Sequence, residues 1–110
     1  MRRSIHVTGF KHSNPVPAAS RIGNIVMSGV ISAKDAATGN VPDTLDEQVK
    51  AMFANFREIL AASGAVPEHV IKMNVWLADF YDRAALSEEW VATFPDPASR
   101  PARQAHALVG

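Results

Sequence analysis

The sequence has 110 residues, 47% hydrophobic and 20% charged, with eleven basic and eleven acidic side chains and a net charge of zero. That balance suits one globular domain and gives no electrostatic case for binding nucleic acid or an anionic membrane. With no cysteine, disulfides, thiolate metal sites and a cysteine nucleophile are excluded, and a reducing cytoplasm is the expected compartment. No window approaches the roughly 18 consecutive apolar residues of a membrane span. The basic start, MRRSIHVTGF, lacks the apolar run of a signal peptide.

Residues 4–8, SIHVT, read as a short strand, and 10–20, with Lys11, His12, Asn14 and two prolines, as an irregular loop. RIGNIVMSGVIS (21–32) is a near-continuous apolar run and predicts one strand covered on both faces. Its glycines, Gly23 and Gly29, mark a bend or the close approach of another group. Residues 33–43 form a connection with a turn at Thr38-Gly39-Asn40.

TLDEQVKAMFANFREILAASG carries the strongest helical signal. Thr44 and Glu47 have capping-box spacing, and Leu45, Val49, Met52, Phe53, Phe56, Ile59 and Leu60 follow the helical rhythm. Gly64 sits where a helix-terminating glycine belongs. Glu47, Lys50, Arg57 and Glu58 lie off the apolar stripe and read as a solvated face. HVIKMNVWLADF (69–80) alternates apolar and polar residues as a half-buried strand does. DRAALSEEWVATF (82–94) predicts a second helix, N-capped by Asp82, with Leu86, Trp90 and Phe94 on one face and Pro95 ending it. ARQAHALVG reads as a last strand, with Arg103, Ala105, Ala107 and Val109 on one side and Gln104, His106 and Leu108 on the other.

This β-β-α-β-α-β order predicts an α/β domain spanning residues 1–110, two helices packed on one face of a mixed sheet. Val26, Met27, Val75 and Trp76 leave the other face too apolar for water, which predicts self-association with any site between subunits.

The four histidines, His6, His12, His69 and His106, have no metal-binding spacing, so no metal is expected. No nucleophile elbow, P-loop or G-x-G-x-x-G is present, and no cofactor is expected. The arginines remain. Arg21 opens a strand, as a surface charge or a functional one. Arg100 and Arg103 flank Pro101-Ala102, which presents two guanidiniums from a partly rigid segment, and a guanidinium binds a carboxylate bidentately.

RIGNIVMSGVIS, EQVKAMFANFREILAASGA, HVIKMNVWLAD, ALSEEWVATF and RPARQA, in that order and spacing, resemble the RidA/YjgF family (also called Rid or UK114) across essentially the whole chain. The opening NPVPAASRIGN is similar to a branch distinct from the best-known imine deaminases. The resemblance implies a chorismate-mutase-like fold and a homotrimer with sheets inside, helices outside and clefts between subunits. It implies hydrolysis of reactive enamine or imine acids to a 2-oxo acid and ammonia.

Within that resemblance, Arg103 matches the catalytic-site arginine of the Pro-Ala-Arg motif, which binds the substrate carboxylate. Ser28 and Gly29 match residues lining the cleft. Ala105 matches a position, often cysteine, that offers backbone groups near the reacting carbon. Val16, in Asn14-Pro15-Val16-Pro17, stands where the deaminases have a tyrosine, and Ser87 where they often have asparagine. The family continues into a further strand with a water-positioning glutamate. This sequence stops at Gly110, so the last strand is expected to be absent or truncated.

The expected function is an enamine/imine deaminase acting on a small carboxylated substrate. A non-catalytic binder or sensor of such a metabolite is the alternative, favoured by the missing tyrosine and glutamate. A ribonuclease or translation inhibitor, a label attached to some family members, is opposed by the neutral charge and the lack of a basic-aromatic stripe. Arg100 is expected to be a structural or rim charge, and His106, on the strand face opposite Arg103, a packed or interface histidine.

Overall fold

The computed structural model describes residues 1–7 and 14–108. It divides into two compact units, Met1–Ala65 and Val66–Gly110. Thr8, Lys11, His12, Val109 and Gly110, which the sequence places in strands or loops, lie outside the described residues.

In the first unit β1 (Arg3–Ile5), β2 (Ala19–Ile22) and β3 (Ile25–Ser28) form an antiparallel meander, followed by α1 (Leu45–Ala62). The single strand expected over 21–32 is therefore a hairpin. Gly23, at φ 57, is the first of two turn residues, and Asn24 has no positive φ, the signs of a type II′ turn. Across it Ile22 pairs with Ile25, Arg21 with Val26 and Ser20 with Met27. The described residues thus form one more strand than expected, within the same α/β class of two helices with antiparallel and parallel pairings.

Strand alternation gives this sheet two unlike faces. Ile5 and Ala19 join Val7, Ala18 and Ile59 of α1 in a buried cluster, with Val26 and Ile31 packed against it. On the other face Ile22, Ile25 and Met27 are exposed, Met27 by 74%. Met27 lies on the open face as expected, whereas Val26 points to the core.

The helix α1 obeys its local signals at both ends. The Thr44 hydroxyl accepts from the Glu47 N–H at 3.3 Å. At the far end Gly64 takes φ 69, its N–H reaches the Ala61 carbonyl at 3.1 Å, and the Ala65 N–H reaches Leu60 at 2.9 Å, a full Schellman closure. Arg21 adds a cation there. It donates from Nε to the Gly23 carbonyl at 2.9 Å and from Nη1 to the Ser63 carbonyl at 3.0 Å, tying the hairpin turn to the negative end of the helix. Val49, Phe53, Phe56 and Ile59 are buried along the apolar stripe. Asn55 is buried among them; its Nδ2 donates to the carbonyls of Ser32 at 3.0 Å and Lys34 at 2.8 Å, holding the segment after β3 on the helix.

The second unit is a βαβ arrangement: a 3-10 turn at Pro67–His69, β4 (Lys72–Leu77), α2 (Ala84–Thr93) and β5 (Ala102–Ala107). β4 and β5 pair in parallel, Met73 beside Arg103, Val75 beside Ala105 and Trp76 beside His106. The N-cap of α2 is Arg83, not Asp82. Asp82 is drawn into the preceding turn, where its N–H donates to the Asp79 carbonyl at 3.2 Å while the Asp79 carboxylate accepts from the Tyr81 N–H. Leu86, Trp90 and Phe94 are all buried, as their shared face implies, and Trp90 meets Phe94 at 4.8 Å. Arg100 donates to the carbonyls of Phe94 at 2.8 Å and Pro95 at 3.4 Å, just past the helix end, a structural use of its charge.

Val75 and Leu77 are buried while Trp76 is 55% exposed. Val75 therefore leaves the open face on which the sequence placed it, and Trp76 stays. His106 stacks on Trp76 at 4.6 Å and lies 3.1 Å from the Asn74 amide oxygen. Lys72 donates to Gln104 on the same face at 3.2 Å. Among the described residues no helix is long and apolar enough to cross a membrane.

Candidate functional site

Two elements of the second unit build the site. The alternation of β5 puts Arg103 and Ala105 on one face and Gln104 and His106 on the other. On α2, Arg83, Ser87 and Trp90 stand at i, i+4 and i+7, one stripe of the helix.

The Arg103 guanidinium lies over that stripe. Its Nη2 donates to the Ser87 hydroxyl at a long 3.5 Å, and its central carbon sits 5.0 Å from the Trp90 ring centroid, a cation–π approach. Its Nη1 is buried and has no hydrogen-bond partner among the described residues. A buried unpaired N–H on a charged group costs stability, so this nitrogen marks a place for an acceptor. Burial pulls the Arg103 pKa below the usual arginine value, and the positive charge of Arg83 lowers it further. A carboxylate placed here would relieve both effects.

Arg83 is itself held in place. Its Nε donates to the Phe80 carbonyl at 2.9 Å, and its guanidinium carbon lies 4.3 Å from the Phe80 ring centroid. Neither arginine is paired with a carboxylate among the described residues. No three His, Asp or Glu side chains among them cluster to hold a metal.

The residues singled out in the sequence fall into two groups, one per unit. Ser87 and Arg103 touch, and Ala105, half-buried, shares the Arg103 face beside Val75. Val16, Ser28 and Gly29 belong to the first unit. Ser28 pairs with Ala19 at the end of the hairpin, and the Gly29 N–H donates to the Ala18 carbonyl at 2.9 Å. Val16 is 53% exposed two residues upstream of that carbonyl. A Cβ added to Gly29 would meet Ala18 and Pro17 carbonyls at 3.7 and 3.8 Å, ordinary contacts. The close approach expected of Gly29 is therefore not required within its own unit, whereas the bend expected of Gly23 is real.

Sequence reasoning missed Arg83 and read Trp90 as core alone. The signal was available in part: an arginine, a serine and a tryptophan on one helical stripe. What was lacking was the knowledge that β5 lays Arg103 across it.

The Endoribonuclease L-PSP family model matches residues 11–108. The chain is 39% identical over 76 residues to protein mmf2, mitochondrial, of Schizosaccharomyces pombe, covering 68% of this chain and 58% of that protein. It is 32% identical over 93 residues to the chloroplastic Reactive Intermediate Deaminase A of Arabidopsis thaliana, covering 84% of this chain and 49% of that protein. The chain thus spans about half to three-fifths of the length of these curated relatives. Among solved structures, RidA from an Antarctic Psychrobacter superimposes with a TM-score of 0.86 at 28% identity, covering 96% of this chain and 85% of that one. A family match over nearly the whole sequence, on the fold described above, makes this chain a member of the endoribonuclease L-PSP family, which is the RidA/YjgF family.

Proposed function

We propose that the protein hydrolyses a small carboxylated 2-imino acid, or its enamine tautomer, to a 2-oxo acid and ammonia. One observation carries the reading: the Arg103 guanidinium is partly buried against Trp90 and Ser87, and its buried Nη1 has no acceptor among the described residues. A substrate carboxylate would accept from Nη1 and Nη2 together. The name of the Arabidopsis relative, a reactive intermediate deaminase, supports the same chemistry.

A protonated imine is already electrophilic, so the protein must hold the carboxylate, aim the C=N carbon and admit one water. The water oxygen adds to that carbon to give a carbinolamine. The C–N bond then breaks, both protons of the water end on nitrogen, and the carbon keeps its oxygen as the new carbonyl. In this proposal Ser87 lies beside the guanidinium and the Ala105 main chain lies near the reacting carbon. Val16, Ser28 and Gly29 are assigned to the lining of a cleft between subunits of a homotrimer. Such an assembly would cover the exposed Ile22, Ile25, Met27 and Trp76.

Binding without turnover is the second reading, and one observation favours it. Among the described residues Arg103 feels the charge of Arg83 and bonds to the Ser87 hydroxyl, and none of them offers it a carboxylate or imidazole as a hydrogen-bond partner. RNA remains poorly served by a chain of zero net charge.

The test is ammonia release from a 2-imino acid made in situ by an amino-acid oxidase. The wild type should accelerate release. Arg103→Ala should lower that acceleration by about 100-fold, the scale of losing one partner of a desolvated charge pair. Equal rates with both proteins would sink the deaminase reading. Calorimetric binding of the 2-oxo acid without acceleration would establish the second.

A further inference from the structure

We infer that Arg83 is a second anion-binding group beside Arg103, so that the site takes dicarboxylic 2-imino or 2-oxo acids in preference to monocarboxylic ones. The inference rests on the reading of Arg103 as a carboxylate anchor and adds the class of ligand.

Three features of Arg83 point the same way. It lies one helical turn before Ser87, the residue to which Arg103 bonds; four residues along a helix is about 6 Å, a spacing that a four- or five-carbon dicarboxylate can bridge. Its Nε donates to the Phe80 carbonyl and its guanidinium face lies over the Phe80 ring, which fixes the side chain and leaves both terminal nitrogens without a protein acceptor among the described residues. Its place in the fold also works against stability. Arg83 is the N-cap of α2, it makes no side-chain capping bond, and the first turn has no acidic residue. A cation there faces the positive end of the helix. Its charge also acts on Arg103, whose charged form it disfavours.

Two guanidiniums and a helix N-terminus, with no carboxylate paired to them among the described residues, leave an excess of positive charge that one substrate carboxylate neutralises only in part. A second carboxylate, at the far end of the same small ligand, would meet the free nitrogens of Arg83 while the first occupies Arg103. This makes Arg83 a specificity residue, remote from the reacting carbon.

The experiment is titration calorimetry on the intact protein with 2-oxoglutarate and 2-oxobutanoate, beside inorganic phosphate, for wild type, Arg83→Met, Arg83→Ala and Arg103→Ala. The methionine keeps the apolar stem over Phe80 and guards against misfolding. The wild type should bind 2-oxoglutarate at least tenfold more tightly than 2-oxobutanoate. Both Arg83 variants should bring that ratio close to one, and Arg103→Ala should weaken both ligands. The inference is overturned by equal wild-type affinities, by a ratio unchanged in the Arg83 variants, by no binding of either acid, or by phosphate binding more tightly than both. Imine hydrolysis is scored separately. A preference that depends on Arg83 in a protein without deaminase activity removes that activity and leaves this inference standing. Turnover with no preference does the reverse.

Discussion

Replacing Arg103 by methionine should stabilise the protein, or leave it unchanged, while ending carboxylate binding. The guanidinium makes one long hydrogen bond, to Ser87 at 3.5 Å, and one ring contact, with Trp90 at 5.0 Å. A bond of that length contributes little, and a partly exposed cation–π contact contributes about 0.5–1 kcal/mol. Against them stands the buried, unpartnered Nη1, a defect of about 1–3 kcal/mol, and the repulsion from Arg83. Methionine keeps an unbranched apolar stem against Trp90. The balance runs from about zero to about 2 kcal/mol in favour of the variant. Its midpoint, about 1 kcal/mol, corresponds to a Tm rise of about 4 °C or more in a domain of this size. The charged form of Arg103 is the one disfavoured in the folded state, so its cost is in force at neutral pH and is lost only as alkali removes the proton. Thermal denaturation at neutral pH without ligand is the assay. A variant that melts about 4 °C or more below wild type would show that the guanidinium is a structural prop, and the reading of an anchor held open for substrate would fail.

Asn55→Ala should destabilise the first unit by about 2 kcal/mol, about 1 kcal/mol for each of the hydrogen bonds to Ser32 and Lys34; chemical denaturation measures it, and a loss under 0.5 kcal/mol would remove Asn55 as a clamp. Carboxylate affinity should be flat through neutral pH and decline in the alkaline range at a lower pH than an ordinary arginine would give, because burial and Arg83 lower the Arg103 pKa. Calorimetry across that range checks it, and affinity that instead falls toward acid would point to a different anchoring group.

What the sequence disclosed and what it hid divide along one physical line. Thr44 and Gly64 end α1 through hydrogen bonds that span three to five positions, so their types and spacing suffice to place them. The alternation of 72–77 likewise carries β4. The hairpin at Gly23-Asn24 was masked because Ile22 and Ile25, on either side of the turn, extend the apolar run and are exposed. Asp82 lost the N-cap to Arg83 because the turn begun at Asp79 claims it. Asn55 had no visible role, since its partners are 21 and 23 residues away. Arg103 was legible as a motif residue, but its surroundings were not, because Arg83, Ser87 and Trp90 reach it only through the packing of α2 beside β5.

The two helices make the functional assignment sharper than either does alone. α1 is well terminated: it has a threonine cap, acidic residues in its first turn, a Schellman closure and, from the hairpin, the Arg21 cation at its negative end. α2, in the same chain, begins on an uncapped arginine, has no acid in its first turn and carries a second guanidinium across its stripe with a nitrogen left bare. Both ends of α1 show that this sequence can cap a helix where stability alone is at issue. Local rules broken together at one place are what the proposed anion site accounts for and the fold alone does not. Each breach at α2 has the same sign, an excess of positive charge and unfilled N–H donors, and the same remedy, an anion of small size. A merely careless helix end would scatter its defects; these converge on one ligand chemistry.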